Sequence, residues 1–174
     1  MKKELTRRSF LKLAGVGTLA VAMSGSLTGC DVIENLKDMD SVSAAIGDVK
    51  FMLSASAWSN GAGGQENDVS YQPTCEIRNN SKKAVTYGGS GSNCEVIITG
   101  VLTDKNGKEY PMTYVGENGS APAGEKYKVK DFKLVAVGKG LYMEGSKVVT
   151  TFAYNGQKAV FTEYNNGDIT SKVK

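Results

Sequence analysis

Residues 147–164 read KVVTTFAYNGQKAVFTEY. Two runs rich in β-branched and aromatic residues flank Asn155-Gly156, and both central residues tolerate the positive φ of a type I′ turn. The stretch predicts a β-hairpin from Lys147–Tyr154 to Lys158–Tyr164. A second Asn-Gly, Asn106-Gly107, turns the run Glu95–Thr103 into Glu109–Val115. Upstream, Val69, Tyr71, Pro73, Cys75 and Ile77 alternate with polar residues, the period-two pattern of a strand with one buried face. Pro73 places that strand at an edge or a bulge.

The remaining segments follow the same style. Val49–Trp58 opens a strand, and the glycine-rich loop 59–68 ends it. Asn79-Asn80-Ser81 is a turn, Val85-Thr86-Tyr87 a short strand, and Gly88–Ser92 breaks it. Ala121-Pro122-Ala123-Gly124 leads into a strand over 127–137. About seven or eight short strands with no helical period predict an all-β, antiparallel sandwich. The pattern contains no internal repeat.

Glu76-Ile77-Arg78-Asn79-Asn80-Ser81, Asp104-Lys105-Asn106-Gly107-Lys108 and Pro122-Ala123-Gly124-Glu125 together resemble the immunoglobulin-like domains found on lipoproteins of single-membrane bacteria. The resemblance covers residues 49–164. It implies an immunoglobulin-like sandwich outside the cytoplasm and carries no catalytic residues.

The first thirty residues have a different character. Lys2, Lys3, Arg7, Arg8 and Lys12 form a basic start, and a mildly apolar run follows from Leu13 to Met23. Gly15, Gly17 and Thr18 interrupt that run, which is shorter than the roughly 20 residues of a spanning helix. Arg7-Arg8-Ser9-Phe10-Leu11-Lys12 resembles a twin-arginine export signal, with Arg7, Arg8, Phe10, Leu11 and Lys12 as its matching residues. Leu27-Thr28-Gly29-Cys30 resembles a bacterial lipoprotein processing box. The resemblance implies cleavage before Cys30 and a diacylglyceryl group on its sulfur, a durable anchor at about 0.8 kcal/mol per buried methylene. Residues 1–29 are thus expected to be a cleaved signal peptide and residues 30–48 a lipidated cysteine and tether, with the domain at 49–174. Within the tether, Val32, Ile33, Leu36 and Met39 recur at near-helical spacing, so a short amphipathic turn is the alternative to a flexible spacer.

Removing the leader changes the charge. Residues 1–29 hold five of the 21 basic residues and one of the 18 acids, leaving 16 against 17, a net of −1. The basicity of the whole chain belongs to its leader, and no nucleic-acid footprint remains.

With Cys30 assigned to lipid, Cys75 and Cys94 remain. In an exported chain such a pair reads as a disulfide, contributing about 3 kcal/mol by closing a loop of about 20 residues. Twin-arginine export of folded chains would make that bond form late, and two buried thiols are the alternative.

Catalytic chemistry finds little support. The chain has no histidine, which removes the commonest general base and metal ligand. Gly88–Ser92 lacks the lysine and helix of a phosphate loop. Asp104, Asn106 and Glu109 have the spacing of oxygen ligands for calcium, but on a tight hairpin such residues serve the turn. Glu95, Glu109, Glu125, Glu144 and Glu163 read as solvent-facing. No cofactor, metal or catalytic residue is expected, and the chain does not read as an enzyme.

Trp58, the only tryptophan, sits at the mouth of the glycine-rich loop. With Tyr110, Tyr114, Tyr142 and Tyr154 it forms the candidate binding surface, the alternative for each being a core aromatic. The expectation is a non-catalytic, lipid-anchored binding module on the extracytoplasmic face of the cell membrane. Its partners would be the membrane, through Cys30, and a protein or glycan ligand. A structural or accessory subunit of an envelope complex is the alternative, and a carboxylate-based enzyme ranks behind both.

Overall fold

The structure is a computed structural model that describes residues 41–60, 68–138, 141 and 143–174. Its strands are β1 (Ser41–Ile46), β2 (Val49–Asn60), β3 (Val69–Asn79), β4 (Val85–Gly89), β5 (Val96–Thr103) and β6 (Glu109–Tyr114). The second half adds β7 (Gly119–Ala121), β8 (Lys126–Val129), β9 (Leu134–Ala136), β10 (Lys147–Tyr154), β11 (Gln157–Tyr164) and β12 (Ile169–Val173). The described residues are all-β, in a largely antiparallel sheet curled into a sandwich-like, nearly closed barrel.

The main path runs β1-β2-β3-β9-β6-β5-β10-β11-β12. β8 flanks β3, and β4 joins β7 antiparallel and β5 parallel. The two path ends meet side by side, where Ser171 Oγ on β12 donates to the Ser43 carbonyl on β1 at 2.8 Å. Folding the sheet back on itself reduces the exposed edges that would otherwise pair with other chains.

Among the described residues twelve strands replace the expected seven or eight, and the differences have physical causes. The segment read as tether supplies β1, because Val42, Ala44 and Ile46 alternate against β2, with Ala44 and Ile46 buried. The folded unit therefore includes β1, upstream of the expected boundary at Val49. At the other end Ile169–Val173 pairs with β11, a strand hidden in sequence by its mixed composition. The expected strand over 127–137 is split at Asp131 (φ 50°) into β8 and β9.

The two Asn-Gly turns also differ. Asn155 and Gly156 both have positive φ (47° and 75°) and link Tyr154 directly to Gln157, as a type I′ hairpin requires. At Asn106-Gly107 only the glycine has positive φ, at 83°. That loop is longer, and Asp104 Oδ1 accepts from the amides of Asn106 and Lys108 at 2.8 and 2.9 Å. The acid is there to hold the turn.

Inward-facing side chains fill the interior. Phe51 stacks on Phe152 with centroids 4.8 Å apart, and Phe161 meets Phe152 edge-on at 5.6 Å. Phe132 continues the row from Phe152 to Tyr114. Each such ring contributes about 1.5–3 kcal/mol through burial. Asn79, fully buried at the end of β3, satisfies all its side-chain bonding capacity. Its Nδ2 donates to the carbonyls of Lys83 and Ala121, and its Oδ1 accepts from the amide and hydroxyl of Ser81. This fixes the turn after β3 against β7.

Candidate functional site

The register of β2 against β3 slips between Ser54 and Ser56, which is a β-bulge. Before it, the odd-numbered Phe51 and Leu53 face the core. Beyond it, Ser56 and Trp58 lie opposite Pro73 and Tyr71 on the inward face. An extra residue reverses the alternation of everything that follows. Trp58 is thereby turned towards the interior, half-buried, with its ring edge-on to Tyr71 at 5.2 Å.

Glu163 approaches this pair from β11. Its strand alternates Ala159, Phe161 and Glu163 inward, and the glutamate is only 5% exposed. Tyr71 donates its hydroxyl to Glu163 Oε2 at 2.7 Å. Ser56 donates its hydroxyl to Oε1. The Trp58 indole N–H donates to Ser56 Oγ at 3.1 Å and reaches Oε1 at 3.5 Å. Burial, reinforced by the Glu163 charge and hydrogen bond, pushes the Tyr71 hydroxyl pKa far above the ordinary tyrosine value. Tyr71 therefore stays a donor to the carboxylate.

This cluster overturns the solvent-facing reading of Glu163. Parity along β11 was the available signal, since Lys158 and Tyr164 bracket an Ala-Phe-Glu face at 159, 161 and 163. Glu95, Glu109, Glu125 and Glu144 are exposed as expected. Chemically, Glu163 is a lone carboxylate held by three donors, suited to fixing orientation. Among the described residues no group of three or more Cys, Asp or Glu gathers as a metal site.

The other sequence candidates disperse. Tyr110 on β6 is half-buried, with Lys108 Nζ 4.8 Å above its ring. Tyr154 is half-buried beside the Asn155-Gly156 turn. Tyr114 is a correction: it faces inward with Met112, packs on Phe132 and donates its hydroxyl to the Glu117 carbonyl at 3.0 Å. It is a core residue. Tyr142, Cys30 and the export-signal residues Arg7, Arg8, Phe10, Leu11 and Lys12 lie outside the described residues.

The expected disulfide is also corrected, since Cys75 and Cys94 are both free thiols. Cys75 is fully buried on β3, paired with Leu53 on β2 and Val129 on β8, whereas Cys94 is partly exposed in the loop before β5. Burial pushes the Cys75 thiol pKa up, and the Glu76 charge adds to the rise. It acts as a small apolar core residue.

One more residue stands apart from sequence expectation. Asp68, just before β3, is 1% exposed, and neither carboxylate oxygen has a hydrogen-bond partner among the described residues.

No family model matches the chain. No curated protein matches it either. Among solved structures it is similar to the yjhA protein from Bacillus subtilis, with a TM-score of 0.35 and 13% identity over 62% of this chain and 75% of that one. It is also similar to Northeast Structural Genomics Consortium target SoR45, with a TM-score of 0.37 and 13% identity over 75% of this chain and 84% of that one.

Proposed function

We propose that the chain is a lipid-anchored, extracytoplasmic, non-catalytic module that binds a protein or glycan ligand through the surface around Trp58. The observation supporting it is the way Trp58 is held. Its indole N–H is engaged by Ser56 and Glu163 and its ring is braced on Tyr71, while the residue is only half-buried and is followed by exposed Ser59 and Asn60. A pre-oriented aromatic loses little entropy on binding, and such residues dominate the energetics of recognition. The leader and Cys30 supply the membrane location in this reading.

The single tryptophan makes the test direct. Envelope glycans and solubilised membrane proteins are titrated against the intrinsic emission of Trp58. A saturable change supports the module when Trp58→Ala, immobilised and with its far-ultraviolet circular dichroism unchanged, also fails to retain the ligand that the unaltered chain retains. Emission indifferent to every fraction counts against it. Cys30→Ser is expected to move the protein from the membrane to the soluble fraction, and retention on the membrane would refute the lipid anchor.

A further inference from the structure

The outer face of β2, β3 and β8 is built from the residues that alternate away from the core. Lys50, Arg78 and Lys126 are direct neighbours in one cross-strand row. The next row places Met52, Glu76 and Lys128 side by side. Lys130 follows at the end of β8, and Lys82 and Lys83 lie in the turn after Asn79, all three exposed. The acids here are few. Glu76 is paired to Lys126 at 2.8 Å, Asp48 and Glu125 border the end near Lys50, and Asp131 follows Lys130.

Like charges placed directly opposite one another destabilise a sheet, so the row Lys50–Arg78–Lys126 costs stability in the isolated domain. A facing anionic surface would offset that cost. Solubility does not explain the row, because the chain without its leader has a net charge of −1 while this face has the opposite sign. β1, the first described strand, borders this face through its pairing with β2, and the lipid anchor proposed above makes a membrane the anionic surface available to it.

We propose that the outer face of β2, β3 and β8 lies against the anionic phospholipid headgroups of the membrane and orients the domain on it. The proposal deepens the membrane location given above and rests on it. Phosphate oxygens of the headgroups pair with Arg78 bidentately and with Lys50, Lys126 and Lys128 as point charges. The attraction is electrostatic and weakens as salt screens it.

The test uses the full chain on phosphatidylcholine vesicles with and without phosphatidylglycerol, read by lysine acetylation at each site. Phosphatidylglycerol is expected to protect Lys50, Lys126 and Lys128 while Lys158 and Lys172 react unchanged, with protection lost in high salt. Arg78→Gln should lower the ratio of partitioning between the two vesicle types about fivefold, equivalent to about 1 kcal/mol. Lys172→Gln should leave that ratio unchanged, and the leader, common to all variants, cancels from the comparison. Equal protection of all five lysines, or none at the three, overturns the proposal. Protection by a soluble glycerol-phosphate polymer but not by vesicles overturns the membrane assignment. Cys30→Ser fractionation reads the anchor separately, so the two failures are distinguishable.

Discussion

The hydroxyl of Tyr71 on β3 donates to Glu163 on β11 at 2.7 Å, tying together two strands that are not neighbours in the sheet. β1 reaches only as far along β2 as Ser54, and Ser56 and Trp58 lie past that point. There the Glu163 side chain bridges to β2 and β3.

A buried hydrogen bond to a charged acceptor contributes about 1.5–3 kcal/mol, and a donor left unpaired adds its own desolvation cost. Tyr71→Phe is therefore expected to cost about 2 kcal/mol in urea denaturation. Glu163→Ala, which strands the Tyr71 and Ser56 hydroxyls, should cost about 3 kcal/mol or more. The two changes should be non-additive by about 1 kcal/mol in a double-mutant cycle. Additivity within error would show that the contact contributes nothing of its own.

Alkaline stability follows from three buried phenols. Burial raises the pKa of Tyr71 and Tyr87, and it pushes Tyr114 up to about 12, helped by the nearby Cys75 and Asp131. An unfolded tyrosine ionises near about 10. Above that pH the unfolded chain has released protons that the folded chain still holds, so stability falls as pH rises. The urea midpoint is expected to be insensitive to these groups below about pH 10 and to drop beyond it, with a shallower drop in Tyr71→Phe. A midpoint flat through that range would refute the assignment.

The cysteines separate by exposure. In a Cys30→Ser chain without reductant, a thiol reagent should titrate Cys94 in the folded protein and Cys75 only on unfolding. Burial and a raised pKa both keep Cys75 from the reactive thiolate form. Denatured protein should yield two thiols, whereas none would restore the disulfide.

The hairpins were legible because their chemistry is local. Asn155-Gly156 needs only its own φ angles to set the register of β10 and β11. The all-β class was legible for the same reason, from alternation along Val69–Ile77. What escaped depends on partners far away in sequence. β1 alternates correctly at Val42, Ala44 and Ile46, but its small residues become a strand only once β2 lies beside them. Trp58 points inward because of one bulge residue, which the sequence does not announce, and its partner Glu163 lies 105 positions away. Tyr114 resembles any exposed strand tyrosine until its place beside Met112 and Phe132 is known.

Asp68 gives the last prediction, in which a polar residue opposes stability. Its side chain is 1% exposed, and neither carboxylate oxygen finds a donor among the described residues. An unpaired buried carboxylate is costly, because desolvation is not recovered by any hydrogen bond. Replacing it with a neutral group of the same shape removes the charge while keeping the packing. Asp68→Asn is therefore expected to raise stability by about 1 kcal/mol at neutral pH, and Asp68→Leu to be tolerated where a paired aspartate would not tolerate it. Urea denaturation of both variants at neutral pH provides the check. A loss of about 2 kcal/mol or more in Asp68→Asn would mean that the carboxylate is satisfied in solution by a partner such as a bound cation.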